Sequence, residues 1–421
     1  MPIVPAERLR RLALLLLPVL LAGSLAGCSL LGDDEDDPPG RMPVPADVAQ
    51  GLERVLDRRA AAVRRGDRAA FLRLLTASPR LRAQQRVHFD NLRQLPLADY
   101  RYTFDRADLV RDERGEGYWL GVDLHLQLEG YDAVPVVTHD RFRFVPARRD
   151  GVFRLASVSD PAWEEHAGVR PEPWDAGPVV VRSGRGVLGI FDADSVGAAP
   201  ALIASVEDGI EAVAEVVPYG WSRSVVVYAL SGDEFLRGLP APPGGRLSDL
   251  DGLAFPVAAA PDDPTLAATR FVLHPRMLAT SGQERDRLVR HEITHVALGE
   301  RDDEAPVWLS EGIAEYVSVQ AMAPEERRLV TTAVRAAAAD GFAGLPRDEE
   351  FNGADSSLNY ALSWWAVESL ARSFGPQAPF ALLDAAAEEG ASTPRLLRTM
   401  FATTPRQLAA DAAALIRTTY S

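Results

Sequence analysis

The spacing of apolar residues changes partway through the first third of the chain. Leu52, Val55, Leu56, Ala60 and Val63 recur at three- and four-residue steps, which predicts one face of an amphipathic helix. A second helical stretch is expected over 69–75, after Gly66-Asp67. Strict alternation then takes over. Leu120, Val122, Leu124, Leu126 and Leu128 fall on one side, with Gly121, Asp123, His125, Gln127 and Glu129 on the other, the pattern of a half-buried antiparallel strand. Phe142 and Phe144 alternate with Arg141 and Arg143 in another strand, and 151–158 reads as a last one. Residues 161–178 are rich in Pro, Gly and Trp, carry no periodicity and read as a connection. Beyond it come short strands at 179–181 and 187–191, a helix over 199–217, and strands at 225–230 and 271–273. The chain then turns helical almost to its end, with helices expected over 324–339 (closed by Gly341), 379–389, 394–401 and 405–418. The expected fold class is α+β. Residues 46–160 supply helices plus a curved antiparallel sheet, and 179–421 a small β-sheet followed by a mainly α-helical subdomain.

Helices followed by an antiparallel meander resemble the nuclear transport factor 2-like (cystatin-like) fold, with 59–75 similar to its leading helices. The resemblance carries no motif and implies no activity. Composition narrows the function classes. The 421 residues hold 60 acidic against 45 basic side chains, a formal charge of −15. Without a basic excess to neutralise phosphates, a nucleic-acid partner is not expected. The chain has one Cys, so it forms no internal disulfide, and any metal site must use His and carboxylates.

That Cys has a specific place. Arg8, Arg10 and Arg11 precede an apolar run over 12–25, too short for a membrane span of about 20 residues and suited to a secretory signal. The run ends Leu25-Ala26-Gly27-Cys28, which resembles the lipobox of bacterial lipoproteins. The resemblance implies a signal peptide over 1–27, lipidation at Cys28 and an extracytoplasmic, membrane-anchored protein. Residues 28–45, with five consecutive acids and Pro38-Pro39-Gly40, read as a solvated tether.

The candidate chemistry lies at 291–360. His291-Glu292-Ile293-Thr294-His295 is an HExxH motif. Residues i and i+4 share a helical face, so both imidazoles can reach one tetrahedral ion, and Glu292 falls beside them where a carboxylate can polarise a water. Ser281-Gly282-Gln283-Glu284 reads as a capping box opening this helix, and Gly299 as its end. No His follows His295, so a downstream third ligand must be a carboxylate. His88, His125, His139 and His166 lie on separate elements and read as surface or strand residues.

Trp308-Leu309-Ser310-Glu311-Gly312-Ile313-Ala314-Glu315-Tyr316 resembles the second helix of gluzincins, and specifically the W-L-x-E-G-x-A-x-Y pattern of aminopeptidase N-like and peptidase MA-like proteins. The resemblance implies Zn²⁺ held by His291, His295 and Glu311, with Glu292 as general base in peptide-bond hydrolysis. It implies Glu315 as an acid orienting a ligating imidazole. Tyr360, at the start of a later helix, matches the family's oxyanion-stabilising Tyr; the bland alternative is packing against Trp364 and Trp365. The family's Gly-x-Met-x-Asn exopeptidase motif is absent, which leaves endo- and exopeptidase action open. The implied partner is a peptide or protein substrate. The rival expectations are a non-catalytic binding or assembly lipoprotein with a structural or inactive metal site, and a protein whose N-terminal domain does the binding.

Overall fold

The computed structural model describes residues 45–147, 152–242, 245–339, 342–388 and 392–420. The signal segment, Cys28, the tether up to residue 44 and Gly341 lie outside the described residues.

Helix α1 (Ala46–Arg65) buries the expected stripe, Leu52, Val55, Leu56, Ala60 and Val63. After α2 (Arg68–Arg73) comes α3 (Pro79–Leu92), which apolar periodicity does not announce. Its buried face runs Leu81, Gln85, Phe89, Leu92. Gln85 breaks the apolar stripe because it accepts a hydrogen bond from the buried Arg59 of α1. These helices pack on an antiparallel sheet of β1 (Leu97–Thr103), β2 (Val110–Arg111), β3 (Tyr118–Leu128), β4 (Val136–Pro146) and β5 (Phe153–Ser157), ordered β1-β3-β4-β5 with β2 beside β3. The β3 leucines and Val122 are buried, and the residues between them half-buried.

Residues 161–178 are more than a bare connection. They form α4 (Pro161–Ala167) and α5 (Pro173–Ala176), and Trp174 is buried edge-on against Tyr228 of the second sheet. Asn91 of α3 pins the segment, donating to the carbonyls of Trp174 and Gly177 and accepting from the Val179 N–H. Such contacts come from distant partners and leave no local period to read.

The second sheet holds β6 (Val180–Gly184), β7 (Val187–Phe191), β8 (Val225–Ala229), β9 (Gly252–Ala260) and β10 (Asp263–Leu273), ordered β6-β7-β8-β10-β9. β7, β8 and β10 run parallel; β6 and β9 are antiparallel edges. Every residue of β7 and β8 is buried, as strands covered on both faces should be. Helix α6 (Ala199–Val216) crosses between them, and α7 (Glu234–Arg237) follows β8. Arg270 of β10 ties the two parts of the molecule together. Its terminal nitrogens donate to the buried Asp132 (2.9 Å), the half-buried Glu172 (3.1 Å) and the buried Tyr228 hydroxyl (2.8 Å).

The remaining chain supplies α8 (Gln283–Leu298), α9 (Glu300–Glu304), α10 (Val307–Ser318), α11 (Thr331–Ala338), α12 (Ser356–Phe374), α13 (Ala378–Ala386), α14 (Thr393–Phe401) and α15 (Pro405–Tyr420). The helix expected over 324–339 is broken into a 3-10 turn, Pro324–Glu326, and the shorter α11. Between them the carbonyls of Arg327 and Arg328 accept from the Tyr420 hydroxyl and Arg287, bonds that a continuous helix would have used internally. Two sheets, one antiparallel and one mixed, with helices segregated beside them make an α+β fold. One apolar core runs from Phe71 and Phe89 through Val227 and Phe271 to Ile293, Ile313 and Trp364. No described helix is long and apolar enough to cross a membrane.

Candidate metal centre

Helix α8 presents His291, Glu292 and His295 to the interior, all at most 1% exposed. It ends at Gly299 as expected, but the capping box does not form. The N-cap is Gly282, with no side chain capping the first turn. Every residue of α10 is buried, Glu311 completely. Such a helix needs partners on all sides, and Gly312 lets one of them come close. A β-carbon there would lie 2.6 Å from the Ser363 carbonyl oxygen of α12. The "Glu-Gly" pair of the sequence therefore joins a carboxylate to the close helix contact that holds it in place.

The donor atoms converge. His291 Nε2 and His295 Nε2 are 3.4 Å apart, and Glu311 Oε2 lies 3.4 Å from the first and 3.7 Å from the second. Ligand bonds of about 2.0–2.1 Å in a tetrahedron set donor atoms roughly 3.3–3.4 Å apart. The triangle fits an ion at its centre. Each ring's other nitrogen meets a carboxylate: His295 Nδ1 lies 2.9 Å from Asp302 Oδ2, and His291 Nδ1 a looser 3.3 Å from Glu315 Oε1. With Nδ1 carrying the proton, both Nε2 lone pairs point at each other and at a carboxylate oxygen. A cation at the centre of the triangle would be met by all three atoms at once. Among the described residues, His291, His295 and Glu311 make up the one group of this kind able to hold a metal ion.

The supporting carboxylates are themselves held. Asp302 of α9 accepts from the Ser310 hydroxyl, and Glu315 from Arg287, whose guanidinium lies 4.9 Å from the Trp364 ring centroid. Burial acts to raise the Glu315 pKa, but Arg287 and His291 outweigh it and keep the group ionised. Burial also opposes charge on His295, yet Asp302 and Glu311 raise its pKa well above the usual imidazole value. Glu292 differs. Burial pushes it up to about 7, and neither carboxylate oxygen has a hydrogen-bond partner among the described residues. Gly252 at the start of β9 leaves room for it; a β-carbon there would be 2.5 Å from Glu292 Oε1.

The structure thus brings together His291, Glu292, His295, Glu311 and Glu315. Tyr360 sits beside them, its ring 6.3 Å from that of His291 and its hydroxyl donating to Asn352 (3.3 Å). Its ring also packs edge-to-face on that of Phe351, 4.9 Å away. Asp302 is the residue that sequence reasoning misses. It lies across the α8–α9 turn from His295, and the run of acids at 300–304 hides it. The other histidines stand apart: His88 pairs with Asp175, His125 with Thr103 and His139 with Asp123.

Taken together these features define an α+β protein with a buried two-histidine, one-carboxylate centre able to hold a metal ion. Set against known proteins, the chain matches no family model. No curated protein matches it either.

Proposed function

We propose that the protein is a zinc-dependent peptidase of gluzincin type, anchored outside the cell through Cys28. Zinc is the metal that a nitrogen- and carboxylate-donating tetrahedral triad suits best, and bound there it would supply Lewis acidity toward a peptide carbonyl. The chain's own residues would do the rest. His291, His295 and Glu311 hold the ion, and Asp302 and Glu315 fix the two rings. Glu292 takes a proton from the attacking water and returns it to the leaving amine. Tyr360 would donate to the developing oxyanion.

The observation that carries this reading is Glu292. Its carboxyl group is buried with no hydrogen-bond partner among the described residues, which costs stability. A metal site needs no such group beside its ligands, whereas a base about to accept a proton does. One observation favours a second reading, a structural metal site in a non-catalytic lipoprotein: all three ligands are at most 1% exposed, and structural sites are closed.

Glu292→Gln separates the two. A peptidase should keep its zinc and lose at least about two orders of magnitude in peptide hydrolysis. Full rescue of a deletion strain by Glu292→Gln, with failure of His295→Ala, would favour the structural reading. The anchor has its own test: Cys28→Ser should abolish detergent-phase partitioning, and unchanged partitioning would rule the anchor out.

A further inference from the structure

A cavity of about 470 Å³ opens beside the metal centre and reaches His291, Glu315 and Tyr360. Its walls come from the first turns of α8, the segment between α10 and α11, and the start of α12. Leu288, Met322, Leu329, Val330, Ala361 and Trp364 make them predominantly apolar. The space is ample for one large side chain, since a cavity of about 150 Å³ holds benzene. It is also well within the range of small-molecule sites, roughly 300–1,000 Å³.

Two features decide what fits. The ions nearest the metal end, Arg287 and Glu315, are paired with each other, and the remaining charged wall residues, Glu284, Glu326 and Arg328, are exposed to solvent, away from the buried apolar end. Val330, among the few large apolar residues left exposed, is 46% accessible in this wall. An exposed valine on a mostly apolar cavity offers surface that an apolar ligand would cover. Glu292 does not line the cavity; it lies against Gly252 of β9. The base and the cavity therefore address a bound peptide from different sides of His291.

We infer that this cavity receives the side chain of the substrate residue next to the scissile bond and selects a large uncharged apolar one, of the leucine, methionine or phenylalanine kind. The inference rests on the peptidase reading and names the substrate class for it: polypeptides cleaved beside bulky apolar residues.

The test digests a peptide library with the zinc-loaded full chain, then repeats it with Ala361→Phe, which fills the cavity from α12, and Val330→Asp, which charges the wall at an exposed position. Cleavage by the natural chain should be enriched beside Leu, Met or Phe. Each variant should keep its zinc and lower the kcat/KM ratio of Leu over Ala peptides at least about tenfold, the scale of a changed apolar pocket. If Ala361→Phe does not fold, Val330→Asp carries the measurement, because its position is half open to solvent. As a readout free of turnover, titration of the Glu292→Gln chain with pentapeptides bearing central Leu or Gly should show tighter binding of Leu, a difference that Val330→Asp reduces. Cleavage with a preference for charged residues, or a Leu/Ala ratio unmoved in both variants, overturns the pocket while leaving the peptidase standing. A zinc-loaded chain that cleaves no peptide overturns both.

Discussion

Two clusters of buried charge lie in this molecule, and they are built on opposite rules. Where the first sheet and the connection meet the second sheet, Arg270 faces Asp132 and Glu172, and the Tyr228 hydroxyl bonds both Arg270 and Glu172. Of the guanidinium only Nε lacks a partner. Here donors and acceptors satisfy one another: the guanidinium meets both carboxylates and the hydroxyl, and the hydroxyl donates to Glu172. At the candidate metal centre two imidazole nitrogens and a carboxylate oxygen converge within 3.7 Å, and Glu292 has no hydrogen-bond partner among the described residues. A closed cluster fixes geometry, whereas an open one retains the capacity to bind or to move a proton.

The sharpest way to break this contrast is to remove a ligand. His295→Ala or Glu311→Ala should abolish binding of the roughly one zinc per chain that a single triad can hold, measured by metal analysis after dialysis. Retention of zinc in both would show the open cluster to be another closed one. Next in size is the closed cluster. Arg270→Ala strands the buried Asp132 and the half-buried Glu172 and should cost about 3–5 kcal/mol in chemical denaturation. Replacing the set together, as Arg270→Met, Asp132→Asn (which keeps an acceptor for the Leu128 N–H) and Glu172→Gln, should recover most of that loss, because a self-satisfied cluster has no function beyond fit. A triple variant as unstable as the single one would mean that these charges do more than pair. The smallest effect is expected where one cluster borrows the logic of the other. Asp302→Ala removes a closed hydrogen bond that serves the open centre, so zinc affinity should fall about 10–100-fold in chelator competition while the melting temperature shifts little. Unaltered affinity would leave Asp302 a mere neighbour of His295.

What was legible in the sequence divides along the same line. His291, Glu292 and His295 share one helix, and Glu311 and Glu315 share another. The i, i+4 spacing put His291 and His295 on one helical face with Glu292 beside them, whereas Glu311 and Glu315 were named only through the resemblance of 308–316 to a gluzincin helix. The β3 alternation was equally plain, because adjacent residues alone decide which face is buried. Asp302 was hidden because its partner lies beyond a turn, where no period runs. The Arg270–Asp132 pair spans 138 residues, and neither residue stands in a motif. Helix α3 escaped because Gln85, a polar residue on its buried face, answers to Arg59 rather than to the helix's own pattern. The capping box failed for a local reason: the chain takes the left-handed conformation at Gly282, with φ of 69°, and Ser281 is left outside the cap position.

Helix α10 carries a consequence for time rather than geometry. It touches α8, α12, α13 and α6 and exposes no face. His291 and His295 share α8, whereas Glu311 stands on this enclosed helix, so the three donor atoms meet only when the two helices are packed together. We therefore expect metal loading to follow core packing rather than helix formation. In a refolding experiment, tight zinc uptake should lag behind the far-ultraviolet helix signal and coincide with burial of Trp308 and Trp364.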